Sequence, residues 1–123
     1  MNIFLLMTPT PESLLPLPPV TFHILAALAT GDRHGYGIMQ EVAARSDGKL
    51  RLGAGTLYRS IQRMLEQGLV VETSARPPAR EDDERRRYYR LTPLGIATAR
   101  LEAKRLADMI RLAQATGLVP GKV

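Results

Sequence analysis

The fold is decided by residues 54–67, AGTLYRSIQRMLEQ, which predict the clearest helix in the chain. Leu57, Ile61, Met64 and Leu65 recur at helical spacing and form one apolar face. A helix turns by about 100° per residue, so the opposite face is polar or small. That face carries Gly55, Arg59, Gln62, Arg63 and Glu66. A glycine follows directly and ends the helix. A helix with one buried face and one basic, polar face needs a supporting domain on its apolar side.

Two shorter helices are predicted before it. Residues 20–30 follow a Pro-Pro pair and precede Gly31. Proline at the start and glycine just past the end are typical of helix boundaries. Residues 32–34 then read as a short loop. Residues 35–46 predict a second short amphipathic helix, with Ile38, Met39 and Val42 on its apolar side.

A β-hairpin is predicted after the third helix, residues 54–67. Its strands are residues 69–74 and 86–92, both rich in β-branched or aromatic residues, and a polar tip of residues 76–85 joins them. One side of the first strand carries Leu69, Val71 and Thr73. One face of the second carries Tyr89 and Leu91, and the other carries Arg86, Tyr88 and Arg90. Tyr89 is therefore expected in the core, and Tyr36 is expected to pack between helices.

A last helix is predicted over residues 93–116, after Thr92 as N-cap and before Gly117. Its apolar surface is broad for a terminal helix of a small domain, which predicts contact with a second copy of the chain. The alternative is that the helix folds back on its own domain. The residues predicted in the dimer interface are Leu94, Leu101, Leu106, Met109, Ile110, Leu112 and Ala113.

Three helices, a hairpin and a long helix, in that order, predict a winged helix-turn-helix followed by a dimerisation helix, a mainly α fold with a small β-hairpin. We expect the winged-helix domain over residues 20–92, the dimerisation helix over 93–116 and a tail over 117–123. Residues 1–19 form an arm that holds five of the nine prolines. Either this arm is disordered, or its leucines and phenylalanine, Phe4, Leu5, Leu14 and Leu15, pack on a partner subunit.

Composition excludes several classes of function. The 123 residues include no cysteine and only two histidines, so disulfides, thiolate zinc sites and cysteine nucleophiles are ruled out. No catalytic constellation or phosphate-binding glycine loop is apparent, and the apolar run at residues 3–7 is too short for a signal peptide or membrane span. We therefore expect a cytoplasmic protein that is not an enzyme and has no metal, no cofactor and no membrane partner.

The net charge of +5 favours an anionic partner, but its distribution weakens that argument. Residues 1–52 and 53–75 each carry no net charge. Residues 76–92 hold six basic against four acidic side chains, and residues 93–123 hold five against two. Most of the excess positive charge thus lies away from the third helix.

Four motifs in order resemble the PadR family of transcriptional regulators: HGYG at residues 34–37, GAGTLYR at 53–59, LEQGLV at 65–70 and RRYYRLTPLG at 86–95. The resemblance covers residues 17–116 and is closest to the branch with a single C-terminal helix. It implies a winged-helix DNA-binding domain, a homodimer formed by the last helix, and repression of a promoter relieved by a small molecule. The acidic hairpin tip and Arg59, where many members have proline, depart from the family pattern.

The third helix is then the expected recognition helix, and two such helices in a dimer would read an inverted repeat in double-stranded DNA. Small and hydroxyl residues at its start suit phosphate contacts, and its outward Arg and Gln side chains suit base edges. The wing arginines suit the DNA backbone or minor groove. The predicted DNA-binding residues are Gly55, Thr56, Tyr58, Arg59, Gln62, Arg63, Arg86 and Arg87. The alternative is a winged-helix protein-interaction module that binds no DNA.

A small hydrophobic or phenolic effector is also expected from the resemblance, near the dimer interface. Its speculative lining is Phe22, Leu25, Leu101 and Met109. Without tryptophan, the chain cannot hold a flat ligand between indole rings.

Overall fold

A computed structural model of the chain describes residues 9–73 and 87–121. In that part of the chain a 3-10 turn at Glu12–Leu14 is followed by seven elements. They are α1 (Pro19–Leu28), β1 (Arg33–His34), α2 (Gly35–Arg45), α3 (Ala54–Glu66), β2 (Val70–Thr73), β3 (Tyr88–Leu91) and α4 (Pro93–Ala115). The predicted winged-helix order is confirmed, and each predicted helix ends within two residues of the observed one. The hairpin tip at residues 76–85 lies outside the described residues.

The sheet has three antiparallel strands in the order β1-β3-β2. Val70 lies opposite Leu91 in the predicted hairpin, whereas Arg33 and His34 pair with Tyr89 and Tyr88. The prediction of a loop at residues 32–34 was therefore wrong. Two residues are too few to show the alternation by which a strand is recognised in a sequence.

The extra strand also changes which strand residues are buried. Tyr88 and Tyr89 are both buried, although the predicted alternation placed them on opposite faces. β3 is the central strand, and the His34 ring meets the Tyr88 ring edge-on, with 5.3 Å between centroids. In β2 the alternation fails as well, since Val70 is buried and Val71 is 45% exposed. Leu69, just before β2, is buried as well.

The core lies between the three N-terminal helices and the sheet. Its fully buried side chains include Ile24, Leu25, Ile38, Leu57 and Met64. Burial of each contributes about 1.5–3 kcal/mol relative to an exposed side chain.

Two helix starts are fixed by side-chain caps. The Thr92 hydroxyl accepts a hydrogen bond from the Gly95 N–H at 3.0 Å and donates one to the Gly68 carbonyl, which ties α4 to the end of α3. His34 caps α2, because its Nδ1 accepts from the Gly37 N–H at 3.0 Å. Such caps satisfy N–H groups that a helix leaves unpaired in its first turn.

Part of the N-terminal arm packs on its own chain. Leu14 and Leu15 lie against the core, and Leu17 is buried. The Leu17 N–H donates to the carboxylate of Glu102, a residue of α4 that is only 2% exposed. Arg105 completes this buried site through bonds of 2.7 and 2.9 Å, and it is the main reason that the pKa of Glu102 is lowered. Phe4 and Leu5 lie outside the described residues.

Candidate nucleic-acid interface

The outer face of α3 is an exposed polar surface. Leu57, Ile61 and Met64 fix the rotation of α3 because they are buried. The same rotation leaves six of the residues predicted to bind DNA exposed, which are Gly55, Thr56, Tyr58, Arg59, Gln62 and Arg63. All six belong to α3, although they do not lie on a single side of it. Arg59 stays close to the helix start, with Nη2 3.5 Å from the Thr56 hydroxyl.

These residues do not all point the same way. At about 100° per residue, Gly55, Arg59 and Gln62 lie near the centre of the outer face, opposite the buried stripe. Arg63 lies to one side, above Thr56 and Ser60. On that side α3 and the start of α1 enclose a cavity of about 220 Å³, named the α1–α3 cavity here. It is lined by Pro18, Val20, Thr21, Thr56, Arg59, Ser60 and Arg63.

Tyr58 lies on the other side of α3, where it covers the start of α2. Its ring is 48% exposed, yet its hydroxyl rests on Gly35: a Cβ built there would lie 2.2 Å from the Tyr58 Oη. Only glycine at position 35 allows this contact. Tyr36, in contrast, is 55% exposed, so the expectation that it packs between helices was wrong.

The wing arginines have separate environments. Arg87 has a side chain 76% exposed and lies 3.4 Å from Glu72 of the neighbouring strand. Arg86 lies outside the described residues. Arg90 makes a two-pronged ion pair with Asp32, with distances of 2.8 to 3.2 Å, and this bond raises the pKa of Arg90. Sequence reasoning missed the pair because 58 positions separate its partners.

The residues predicted to line an effector site differ widely in exposure. Leu25 is fully buried in the core, whereas Met109 is 51% exposed on α4. Phe22 and Leu101 are half-buried. A cavity of about 480 Å³, the α1–β3 cavity, lies between the end of α1, the sheet and the start of α4. It is lined by Leu28, Ala29, Gly31, Asp32, Arg90, Leu91, Ile96, Ala99 and Arg100.

The residues predicted in the dimer interface differ in burial between the two halves of α4. Leu94, near its start, packs against the core, and Leu101 and Ala113 are half-buried. The second half of the helix exposes apolar side chains: Leu106 37%, Met109 51%, Ile110 53% and Leu112 56%. This exposed set is defined as the α4 apolar face.

Over the described ranges, no helix is long and apolar enough to cross a membrane. Within the same ranges, no three His, Asp or Glu side chains are grouped as metal ligands.

A three-helix core, a recognition-type helix with an exposed polar face and a strand pair behind it define the class of winged helix-turn-helix proteins. The family model "Transcriptional regulator PadR-like family" matches residues 24–106, and the chain belongs to that family.

Individual relatives agree with this assignment. The transcriptional regulator Rv3488 of Mycobacterium tuberculosis is 32% identical over 92 residues, which is 75% of this chain and 79% of that protein. An uncharacterized protein of Lysinibacillus sphaericus is 38% identical over 74 residues, 60% of this chain and 65% of its own length. A transcriptional regulator from Clostridium thermocellum has a similar structure, with a TM-score of 0.65, 26% identity, and coverage of 78% of this chain and 90% of that one.

Proposed function

We propose that the protein is a cytoplasmic, dimeric repressor that binds an inverted-repeat operator in double-stranded DNA through α3 and is released by a small-molecule effector. The observation that carries the DNA-binding part is the exposed outer face of α3. There Arg59 and Arg63 are exposed and make no ion pair with any described residue, and the uncharged Gln62 is exposed beside them and the small Gly55. Arg suits guanine and phosphate, and Gln suits adenine. Thr56, Tyr58, Arg86 and Arg87 complete the proposed contact set.

DNA binding is tested with a duplex from the region upstream of the protein's own gene, at several salt concentrations. A basic protein that displaces counterions from phosphates shows affinity that falls linearly on a log–log salt plot. Replacing Arg59 or Gln62 with Ala should cost about 1–3 kcal/mol on this duplex if the side chain reads a base. A folded wild-type protein that binds no duplex even at low salt would contradict the proposal and favour the protein-interaction module.

Dimerisation is supported by the α4 apolar face. Four large apolar side chains lie exposed within seven positions, on a helix whose first half is packed against its own domain. A second copy would cover them by the same face, as a twofold interface requires. Ile110→Glu should shift the protein from dimer to monomer in analytical ultracentrifugation. Ala115→Glu places the same charge on the polar side of α4 and serves as the matched control. A wild-type monomer at micromolar concentration would refute the interface.

Effector release is supported by the α1–β3 cavity, whose volume falls within the range of small-molecule sites. The apolar Leu28, Leu91 and Ile96 line the cavity together with the charged Asp32–Arg90 pair. A hydrophobic or phenolic ligand bound there would alter the junction between the wing and α4. Thermal-shift screening of phenolic acids and hydrophobic amphiphiles tests it, with DNA release as the second readout. A ligand that raises the melting temperature of wild type but not of Ile96→Trp supports this cavity over the residues predicted from sequence.

A further inference from the structure

The basic side chains of the described residues divide into paired and unpaired ones. Residues 9–73 and 87–121 hold twelve lysines and arginines, and seven of these form an ion pair with a described acidic residue. Of the remaining five, four lie close together in the sequence, and these are Lys49, Arg51, Arg59 and Arg63. The unpaired positive charge is therefore concentrated on α3 and on residues 46–53 before it, named the α2–α3 turn. The two turn residues are not part of the contact set proposed above.

The backbone of the α2–α3 turn is held in one shape by local hydrogen bonds. Asp47 and Gly48 have positive φ angles of 53° and 76°, which reverse the chain after α2. The Gly48 N–H donates to the Ala43 carbonyl at 2.7 Å, and the Leu50 N–H donates to the Ser46 hydroxyl at 3.0 Å. Because these bonds fix the backbone, the side chains that follow have defined directions.

The side chains of residues 49–52 alternate between basic and apolar. Leu50 and Leu52 are half-buried and pack against the core, whereas Lys49 and Arg51 are exposed. The Arg51 guanidinium lies over the turn, since a Cβ built at Gly48 would be 3.2 Å from its Nη2. The two leucines thus hold the two cations on the solvent side, directly before the start of α3.

Lys49 and Arg51 carry charge that the fold itself does not use. Neither side chain makes a hydrogen bond or an ion pair with any residue in the described ranges. Asp47, the acidic residue of the turn, is paired with neither of them. Arg45, in contrast, lies at the end of α2 and bonds to Glu41 at 2.7 Å. Both charges of the turn are therefore free to meet an anion outside the domain.

The position of the turn indicates which anion this is. A helix is about 10–12 Å across and fills a major groove of about 12 Å, so a segment beside its start meets the phosphate backbone that borders the groove. We propose that Lys49 and Arg51 each bind a phosphodiester group of the DNA backbone at the edge of the groove that α3 enters. They position the duplex, whereas Arg59 and Gln62 read its sequence. This inference rests on the proposed DNA-binding function and adds the α2–α3 turn to its contact surface.

Affinity for two duplexes separates backbone binding from sequence reading. One duplex is the upstream region, and the other is an unrelated sequence of equal length. Lys49→Gln and Arg51→Gln remove a charge but keep a polar side chain. Each should weaken binding to both duplexes by the same factor, roughly three- to tenfold, and lower the log–log salt slope by about 1 for each bound protomer. The double variant should show the product of the two factors.

Charge-conserving variants test whether charge alone is needed. Lys49→Arg and Arg51→Lys should bind both duplexes within about twofold of wild type, because either cation can bind a phosphate. Lys104→Gln is the matched control. It removes the same charge from a side chain of α4 that is 72% exposed and is paired with Asp108. It should change either affinity by less than about twofold, because exposed ion pairs contribute little.

Each outcome bears on the turn or on the proposed function. Unchanged affinity and salt slope in the double variant, with wild type still binding, would overturn this inference and leave the proposed function intact. A loss confined to the upstream duplex, or one that the charge-conserving variants share, would overturn it because the contact would then depend on side-chain shape. An equal loss in Lys104→Gln would reveal an effect of net charge and overturn the assignment to the turn. Absence of wild-type DNA binding would overturn both proposals.

Discussion

Gly95 makes the tightest backbone contact among the described glycines, and its replacement tests the junction between α4 and β2. A Cβ at this position would lie 2.1 Å from the carbonyl oxygen and 3.1 Å from the carbonyl carbon of Leu69. The clash is with backbone and cannot be relieved by a rotamer change. The Leu69 carbonyl also accepts the Thr92 N–H at 3.0 Å, so any shift disturbs the start of α4.

The cost of Gly95→Ala follows from these contacts. To reach an ordinary separation, α4 must move by about 1 Å, and overpacking of this kind costs about 1–3 kcal/mol or more. Strain of the hydrogen bond from the Thr92 N–H to the Leu69 carbonyl destabilises the fold by about 1 kcal/mol more. The better helix propensity of Ala offsets a similar amount. We expect a net loss of about 2–3 kcal/mol. For a domain of this size the melting temperature should fall by about 10–20 °C.

Gly55→Ala is the same substitution in an open position and serves as the control. Its Cβ would meet only the Arg59 Nη1, at an ordinary 3.7 Å. Stability should rise by about 0.5 kcal/mol, because Gly is a poor helix former. Both variants are compared by circular dichroism in thermal and urea unfolding at equal protein concentration. A Gly95→Ala protein as stable as wild type would refute the close approach of α4 to Leu69.

Three further predictions concern side chains. Because the pKa of Glu102 is lowered in the fold, its stabilisation is complete above the ordinary value of 4.5 and is lost as the pH falls through the lower folded value. Glu102→Gln should therefore cost about 1–3 kcal/mol at neutral pH and nothing in strong acid, as urea unfolding between pH 2 and 7 would show; a constant difference across that range would contradict the linkage. Thr92→Val removes the cap of α4 and should cost about 1–2 kcal/mol by the same assay, whereas a neutral effect would exclude the cap as a source of stability. Asp32→Asn breaks the partly exposed pair with Arg90 and should cost no more than about 1 kcal/mol, falling further at high salt; a cost independent of salt would argue against an ionic origin.

Elements built from local signals were predictable from the sequence. The apolar repeat of α3 sets both its buried side and its exposed side, and Thr92 with Pro93 marks the start of α4. Periodicity and caps act over one or two helical turns, so a single sequence displays them. The same signals placed Arg59 and Gln62 on the outer face of α3.

Contacts between distant segments were not predictable in this way. Neither the bond from the Leu17 N–H to Glu102 nor the pairing of Arg33 with Tyr89 has a local signature. The sequence shows which face of α3 is polar, but not that the start of α1 forms one wall of the α1–α3 cavity.

The contact between the arm and Glu102 also bears on where this chain can be shortened. The family match begins at residue 24, within α1, and a protein cut there would lose Leu17 and its N–H. Glu102 would keep its bonds to Arg105 but lose the Leu17 N–H, and the apolar contacts of Leu17 with the core would be lost as well. We therefore expect a chain cut at the family boundary to be less stable at neutral pH than one that keeps Leu17. The further loss of stability of such a truncated chain on acidification should be smaller, because the pKa of Glu102 would be lowered less.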